Sequence, residues 1–206
     1  MSERLTAALG RRFFARSSDE VAHDLIGSWL VVHDGATAKR ALVVETEAYG
    51  GMDDPASHAY RGPTKRSEIM FGPPGYLYVY LIYGMYWCMN IVTGARGDAS
   101  AVLLRGAELY VPTVDGKGFE LTALRGPGIL TRGLGITGDD NGVDCCGGEG
   151  RSLTFHRPRT RSTPIVVGRS KRIGLTKEVD RPSRYFLDGS RAVSKIPAER
   201  SRRTTS

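Results

Sequence analysis

YLYVYLIYGMYWCMN, from Tyr76 to Asn90, is the stretch of this sequence that says most about its fold. Aromatic and aliphatic residues alternate up to Leu81, which predicts a β-strand. Gly84 interrupts the run and MNIVT resumes it, so a β-hairpin is the natural interpretation. On a basic protein the aromatics could stack on nucleic-acid bases, or wedge between them. The alternative is a sheet that buries its aromatics, and this stretch alone favours it because aromatic-rich strands are usually core.

Composition and charge narrow the class of protein. The chain has 206 residues, of which 40% are hydrophobic and 25% charged, enough for one large domain or two small ones. Lys and Arg total 29 against 22 Asp and Glu, and the net charge of +7 favours a polyanionic partner: nucleic acid or an anionic membrane surface. No run approaches the length of a membrane span, and the N-terminus lacks the apolar core of a secretory signal.

The cysteines and histidines give no metal-binding pattern. The three cysteines, two of them adjacent at Cys145 and Cys146, predict reduced thiols in a cytosol and not a disulfide framework. The four histidines are scattered, without an HExxH motif or a CxxC partner.

The remaining patterns indicate one mixed α/β domain. Ser17 and Glu20 have capping-box spacing, which predicts a helix beginning after Ser17 or Ser18. LVVH at 30–33 and ALVVETEAY at 41–49 predict two strands joined by a turn, and the long loop at 50–74 is of a kind that often carries function. The middle, 110–150, is glycine-rich and weakly patterned. The other predicted elements are strands at 101–109, 164–168 and 184–187 and a short helix within 126–136.

The strand VVETEAYG, from Val43 to Gly50, is the first place where chemistry could sit. Strict alternation assigns one face, the better core face, to Leu42, Val44, Thr46 and Ala48, and the other face to Val43, Glu45, Glu47 and Tyr49. Two carboxylates and a tyrosine before a glycine-rich loop could form a reactive pocket. A solvated face with ordinary surface acids is the alternative, and spacing alone favours it because Glu is mostly exposed.

Other polar residues stand out by their setting. His58 lies in the loop that follows, where a lone histidine is more often a surface or hydrogen-bonding residue than a catalytic one. Asn90 and Arg105 lie on otherwise apolar strands, so each is either a structural hydrogen-bonding residue or part of a site. The loop cations could contact phosphates or merely be solvated; they are Arg61, Lys65 and Arg66.

Taken together and in this order, ETEAY, the His58 loop, MFGPPGYLYVYLIYGMYWCMN and VLLR closely resemble the alkyladenine (3-methyladenine) DNA glycosylase family, the mammalian-type methylpurine glycosylases. The resemblance runs from about Phe13 to near Pro197, and the segment Met70 to Asn90 is long and unusual enough to be highly specific. It implies one domain over 1–206, mixed α/β, with a curved antiparallel sheet and flanking helices, similar to the C-terminal domain of methionyl-tRNA formyltransferase. A basic tail at about 198–206 is expected to be disordered.

The resemblance implies a base-excision repair enzyme that flips alkylated or deaminated purines from DNA, hydrolyses the N-glycosidic bond and leaves an abasic site. Glu47 falls at the position of the carboxylate that activates water, and Arg105 at that of the arginine that helps hold the water and the DNA backbone. Tyr83 falls where a tyrosine enters the minor groove and fills the gap, and Asn90 where an asparagine limits entry of normal guanine. The positions that line the base pocket are Tyr49, His58 and Tyr80.

The implied chemistry needs no metal or organic cofactor. The implied partner is double-stranded DNA containing damaged purines, with no membrane; the protein is expected to be a monomer in a bacterial cytoplasm, associated with the nucleoid, or in the nucleus if eukaryotic. Many relatives read TPRN where this chain reads TKRS, from Thr64 to Ser67. Arg66 survives, so a DNA-backbone contact there is retained, whereas Ser67 puts local loop bonding in doubt. The segment from Gly116 to Ile136 is shorter and more glycine-rich than in vertebrate members, so its DNA contacts do not carry over.

Two rival functions remain open. A non-catalytic RNA- or tRNA-binding module fits the charge, but it gains nothing from an acid such as Glu47 facing a polyanion. A bifunctional glycosylase-lyase needs a nucleophilic amine in the pocket. Lys65 is the only lysine near the pocket motifs, and it does not match a family nucleophile.

Overall fold

A computed structural model of the protein describes residues 5–35, 37–113, 115, 118–147, 152–158 and 164–195. These residues form one domain dominated by a large antiparallel sheet, with three short α-helices. The predicted tail at about 198–206 lies outside them, and the likeness to the formyltransferase domain stays a prediction. In chain order the elements are β1 (Leu5–Ala8), α1 (Arg11–Phe14), α2 (Ser18–Leu25), β2 (Trp29–Asp34), β3 (Thr37–Tyr49), β4 (Leu77–Ile82), β5 (Tyr86–Thr93), β6 (Ser100–Pro112), β7 (Phe119–Arg125), α3 (Pro127–Leu134), β8 (Ser152–Pro158), β9 (Val167–Ser170) and β10 (Arg184–Leu187).

The main path of the sheet runs in the order β1-β8-β2-β3-β6-β5-β4. Two further strands join its long central pair: β7 pairs with β6, and β10 pairs with both β3 and β9. Every pairing recorded between these strands is antiparallel. The two 13-residue strands β3 and β6 are therefore the spine on which the rest of the domain is built.

Helix α2 begins where its capping box predicts. The Ser17 hydroxyl accepts a hydrogen bond from the Glu20 backbone amide, and the Glu20 carboxylate accepts one from the Ser17 amide. The buried side of the helix packs on the sheet, where the Thr46 hydroxyl donates to the Ala22 carbonyl at 2.9 Å. This side carries Val21, Ala22 and Leu25, all completely buried. None of the described helices is long and apolar enough to cross a membrane.

Most predicted elements are confirmed, and the errors have physical causes. The hairpin at Tyr76–Asn90, the strands at 30–33, 41–49, 101–109 and 184–187, and the helix within 126–136 are all present. The strand predicted at 164–168 is wrong in its bounds, because β9 begins at Val167, where pairing with β10 begins. Strands β1, β7 and β8 were not predicted, because each is stabilised by a partner strand more than by its own pattern.

The ladder between β3 and β6 is irregular at its centre. Val43 pairs with Ala107 and Thr46 with Leu104, but between these pairs only Glu45 and Gly106 stand opposite each other. Each strand thus carries one bulged residue, Val44 in β3 and Arg105 in β6, and the alternation of faces shifts by one in both. The hydrophobic core accordingly takes Ala41, Val43 and Ala107 on one side of the irregularity, and Ala48, Val102 and Leu104 on the other.

The prediction that Val43 shares a face with Glu45 and Glu47 is therefore wrong, because strict alternation does not hold across a bulge. The neighbouring strands also change at this point. On one side, β3 pairs with β2 up to Leu42 and with β10 from Glu45. On the other, β6 pairs with β5 up to Leu103 and with β7 from Gly106. The polar residues of the candidate active site lie on the face opposite the core, at this change of neighbouring strands.

Candidate active site

A pocket of about 200 Å³ opens where β3, β4, β5 and β6 meet two loops. Aromatic and apolar side chains form most of its wall, with a few polar groups among them. Its size is below the roughly 300–1,000 Å³ of pockets for drug-sized ligands, so it suits one small flat ligand. The lining residues are Tyr49, Ala56, Ser57, His58, Met70, Tyr78, Tyr80, Ile82, Cys88, Asn90, Ala101, Leu103, Arg105, Pro127, Ile173, Gly174 and Leu175.

Glu47 lies behind this wall and is completely buried. Its Oε2 accepts hydrogen bonds from the Tyr49 hydroxyl at 2.9 Å and from Arg105 Nη1 at 3.3 Å. Its Oε1 accepts the backbone amide of Ile173 at 2.7 Å. All three donors line the pocket. Burial raises the pKa of Glu47 above its ordinary value of 4.5, and Arg105, Ile173 and Tyr49 oppose that rise.

Glu45 ties the strands around Glu47 together. Its Oε1 accepts hydrogen bonds from Arg184 Nε at 2.7 Å and from Arg105 Nε at 3.3 Å. Its Oε2 accepts both the amide and the hydroxyl of Ser194 at 2.8 Å. Arg105 therefore bridges the two carboxylates, and although burial acts to lower its pKa, Glu47 and Glu45 keep that pKa raised. The solvated sheet face that spacing alone favoured is wrong, because both acids are completely buried. Glu45 meets Arg184 of β10 and Ser194 after it, and Glu47 meets the amide of Ile173, between β9 and β10.

The aromatic wall is built by β4 and by the loop after β3. His58 Nδ1 lies 2.9 Å from the Tyr78 hydroxyl, and its ring packs edge-on against Tyr80 with centroids 4.6 Å apart. Desolvation, followed by the nearby Arg66 guanidinium, lowers the pKa of His58 from 6.5, so the ring is neutral at physiological pH. Burial, and then the Glu47 charge, raises the pKa of Tyr49 well above 10. The wall thus consists of neutral rings.

Asn90 and Arg66 both lie near this wall. Asn90 is buried in β5, lines the pocket and donates through Nδ2 to the Tyr78 carbonyl at 3.1 Å. Arg66 is exposed, and its guanidinium lies 4.7 Å from the centre of the Tyr80 ring. Both of the sequence-based alternatives for Asn90 and Arg105 are met at once, since each has a structural partner and also lines the pocket.

The tip of the hairpin projects Tyr83 into solvent. The Met85 amide donates to the Ile82 carbonyl at 3.1 Å, which closes the turn. Tyr83 and Gly84 have φ of 53° and 67°, in the left-handed region that a glycine adopts freely and a tyrosine rarely does. The Tyr83 side chain is 83% exposed, and Met85 beside it is 69% exposed. The interpretation of the hairpin as a sheet that buries its aromatics holds for Tyr78 but is wrong for Tyr83.

Sequence reasoning missed two arginines of the site. Arg184 is buried against Glu45, and Arg172 is buried against Asp54, with its guanidinium 4.6 Å from the centre of the Tyr49 ring. Nothing in the local pattern of RSKRIGL or PSRYFL distinguishes them from the many surface arginines of this basic chain. An arginine inside a predicted strand, as in RYFL, was the one available signal.

The structure also shows the surroundings of Ser67, Lys65 and the cysteines. Ser67 is buried, and its hydroxyl accepts the Thr64 amide at 3.0 Å, so this loop forms its own bonds despite the departure from TPRN. Lys65 is exposed, and among the described residues no lysine lines the pocket. All three cysteines are free thiols. No group of three His, Cys, Asp or Glu side chains that could hold a metal ion occurs within the described ranges.

Comparisons with known proteins show the family of the chain. A statistical model of a family described as methylpurine-DNA glycosylase matches residues 12–191. A protein of Anaeromyxobacter sp. (strain Fw109-5) is 48% identical over 193 residues, which cover 93% of this chain and 94% of the relative. One of Carboxydothermus hydrogenoformans is 43% identical, covering 91% and 98%, and one of Methanoculleus marisnigri 42% identical, covering 89% and 96%. All three relatives are named, provisionally, as 3-methyladenine DNA glycosylases.

Proposed function

Because the chain belongs to the methylpurine-DNA glycosylase family and is therefore a DNA glycosylase acting on alkylated purines, we propose that it flips the damaged base into the pocket and hydrolyses its N-glycosidic bond with a water activated by Glu47. The observation that carries this proposal is the pairing of a buried carboxylate with Arg105 directly behind an aromatic pocket. A buried acid with a raised pKa is the form in which enzymes keep a general base.

The chemistry fits the groups present. Cleavage of the bond develops positive charge on the sugar, which a carboxylate stabilises while it takes a proton from water. Alkylation at N3 or N7 makes the purine cationic and a better leaving group, so the enzyme needs selection more than leaving-group activation. Tyr49, Tyr80 and His58 supply aromatic faces, on which a cationic base stacks well. Extrusion costs a few kcal/mol, and least for a weakened pair.

The positions of the other residues support the roles that the family resemblance implies for them. Asn90 reaches the pocket from β5 and would crowd the exocyclic amine of a normal guanine. Tyr83, exposed at the hairpin tip, would fill the space that the flipped base leaves in the duplex. Arg66, exposed beside Tyr80, would contact a phosphate next to the pocket mouth. Arg105 would help Glu47 to hold the attacking water and would face the DNA backbone, and the protein would act as a monomer on double-stranded DNA.

The test compares wild type with Glu47→Gln on duplexes that carry 7-methylguanine or hypoxanthine. We expect single-turnover excision to fall by at least about 10²- to 10⁴-fold, because general-base catalysis is lost while the shape is kept. Binding to a duplex with an abasic-site analogue is expected to stay near wild type. Glu120→Gln, an exposed acid on β7, is the matched control and should excise normally. Excision by Glu47→Gln at a rate near that of wild type would refute the assignment.

A further inference from the structure

Asp54 and Arg172 form an ion pair that is shielded from solvent and has no role in the chemistry described so far. Both side chains are fully buried, and the guanidinium meets the carboxylate through two bonds, of 2.5 Å and 3.0 Å. Arg172 Nη1 also donates to the Ala48 carbonyl at 3.1 Å. The pair therefore joins the segment after β9 to the loop after β3, and to β3 itself.

Arg172 acts on two of the three hydrogen-bond donors of Glu47. Its guanidinium lies 4.6 Å from the centre of the Tyr49 ring, and the Tyr49 hydroxyl donates to Glu47. The next residue in the chain is Ile173, whose amide donates to the other oxygen of the same carboxylate. Fixing one arginine thus fixes a ring and an amide at once, since the amide is one peptide unit away.

Asp54 extends this control to the rim of the pocket. Its Oδ2 accepts the Gly50 amide at 3.0 Å, and its Oδ1 accepts the Ala56 amide at 3.1 Å. These bonds fold the chain directly after Tyr49 into the turn that delivers Ala56, Ser57 and His58 to the pocket wall. The carboxylate is thus the point at which the wall and the segment after β9 meet.

We propose that Asp54 and Arg172 are positioning residues of base excision, which hold the Tyr49 hydroxyl and the Ile173 amide in the orientation that Glu47 needs. The inference rests on the proposed function of Glu47. Neither residue touches the reacting atoms; both act through Tyr49 and the Ile173 amide.

Stability alone explains this pair poorly. Arg172 Nε is buried without a hydrogen-bond partner among the described residues, and an unpaired buried donor is costly. Replacing a buried ion pair with well-packed apolar residues is often neutral or stabilising. A bidentate guanidinium that also stacks on a ring has a geometry that lysine cannot supply. The arrangement is therefore better explained by the precision it gives to neighbouring groups.

The pair has a predictable effect on the ionisation of Glu47. Burial raises the pKa of that carboxyl, while the Ile173 amide and the Tyr49 hydroxyl lower it. If the two donors move away, the burial remains and the pKa rises further. The base must be ionised to act, so excision should then be lost at a higher pH as the solution is acidified. The other titratable or charged groups on this side are Glu45 on β3, Arg105 on β6, Tyr80 on β4 and Arg184 on β10.

The experiment uses the full chain and three variants. Asp54→Leu combined with Arg172→Met replaces the pair by apolar side chains, and Arg172→Lys keeps a cation without the planar fork. Arg181→Met is the matched control, because Arg181 faces the same Asp54 carboxylate from outside at 3.9 Å and is partly exposed. For each we measure thermal melting, affinity for an abasic-analogue duplex, and single-turnover excision as a function of pH.

We expect the double variant and Arg172→Lys to fold, to bind the abasic analogue like wild type, and to excise about 10- to 100-fold more slowly. Their acidic limb should lie at higher pH than that of wild type, and the control should match wild type in every measurement. In a Glu47→Gln background the double variant should cause no further loss of excision.

The inference would be overturned if the double variant and Arg172→Lys both fold and show the wild-type rate and pH profile. The proposed function would still stand in that case, provided that Glu47→Gln is inactive. Failure of both variants to fold would also overturn the inference, because the pair would then be a purely structural support. Failure of the proposed function is a different result: no excision by wild type, or normal excision by Glu47→Gln.

Discussion

At the scale of single residues, Glu45 and Glu47 are two positions apart on the same strand but have different hydrogen-bond partners. Both carboxylate oxygens of Glu45 accept hydrogen bonds, from two guanidiniums and from Ser194, and these bonds connect β3 to β6, to β10 and to the segment after β10. Glu47 meets one guanidinium, a phenol and an amide, all on the pocket side. The sequence could place both on one strand face, and the family resemblance could choose between them. It could not show that they are buried, because Ile173, which meets Glu47, and Arg184, which meets Glu45, lie 126 and 139 residues further along the chain.

The pH dependence of excision should reveal the state of Glu47. Because burial raises the pKa of this carboxyl above 4.5, and the group must be ionised to act, activity should be lost on acidification at a pH above the range of an ordinary glutamate. Desolvation lowers the pKa of His58 from 6.5, so any limb that this ring contributes should lie below pH 6.5. Single-turnover rates between pH 4 and pH 9 measure this. An acidic limb at or below the ordinary glutamate value would contradict it.

Tyr83 is held in a backbone conformation that costs energy. A non-glycine residue at φ of 53° is strained, and such strain persists at sites where the side chain is needed. Tyr83→Ala should leave the melting temperature nearly unchanged, since the side chain is 83% exposed. It should weaken binding to lesion duplexes by about 1–3 kcal/mol and slow excision, because stacking is lost.

The matched control for Tyr83 is Phe119→Ala, an exposed aromatic on the β6–β7 hairpin. It should change neither lesion affinity nor excision. A large fall in melting temperature of Tyr83→Ala, with unchanged affinity per folded molecule, would remove the proposed role in the duplex.

At the scale of elements, the irregular ladder between β3 and β6 explains why the acids face away from the core. The bulges coincide with the exchange of neighbours, β2 for β10 and β7 for β5. Gly106 is required at this point, because a Cβ there would lie 2.5 Å from the Ala192 carbonyl oxygen. The sequence predicted both strands, since β-branched and apolar residues fill them, but it could not predict the bulges, which need two strands and the segment around Ala192 to be in place.

Glu45→Gln should test how much the charge of Glu45 contributes to stability at the irregular ladder between β3 and β6. The substitution leaves Arg105 and Arg184 short of a buried counter-charge, which we expect to cost about 3–5 kcal/mol of unfolding free energy. At about 2–4 °C per kcal/mol, the melting temperature should fall by at least about 6 °C. Calorimetry against Glu120→Gln, which should change stability by no more than about 0.5 kcal/mol, gives the comparison. An unchanged melting temperature of Glu45→Gln would mean that the stability of this region does not depend on the charge of Glu45.

At the scale of the whole molecule, the site is assembled from parts that are far apart in the sequence. β3 supplies the acids, β4 and β5 the wall, β6 an arginine, and the segment from 170 to 175 an amide. The family resemblance named the residues with recognisable motifs, such as Glu47 and Asn90. Arg172 and Ile173 lie in a stretch without a pattern, and Arg184 lies in a predicted strand whose partner was not known; only the folded chain brings the three to the acids.

The composition of the pocket predicts a monofunctional enzyme. Since no lysine lines the pocket within the described ranges and Lys65 is exposed, no lysine of that part of the chain is placed to attack the sugar. We expect an abasic strand that stays intact until it is heated in alkali, and no covalent adduct on treatment with borohydride. Lys65→Ala should give the same products at the same rate. Trapping of a protein–DNA adduct would show that a lyase step exists.

The paired bulges also bear on how this protein can change through evolution or engineering. On either side of Val44 and Arg105, the same two strands turn opposite faces to the hydrophobic core, so the number of residues decides which side chains enter that core and which lie on the face of the buried acids. Deleting a single residue there would turn over the half of β3 that carries the two acids, and bring Thr46 and Ala48 to where the acids had been. The exposed loop 176–180 is where we expect insertions and deletions to be tolerated. Between residues 43 and 49, we expect substitutions to be tolerated better than insertions or deletions.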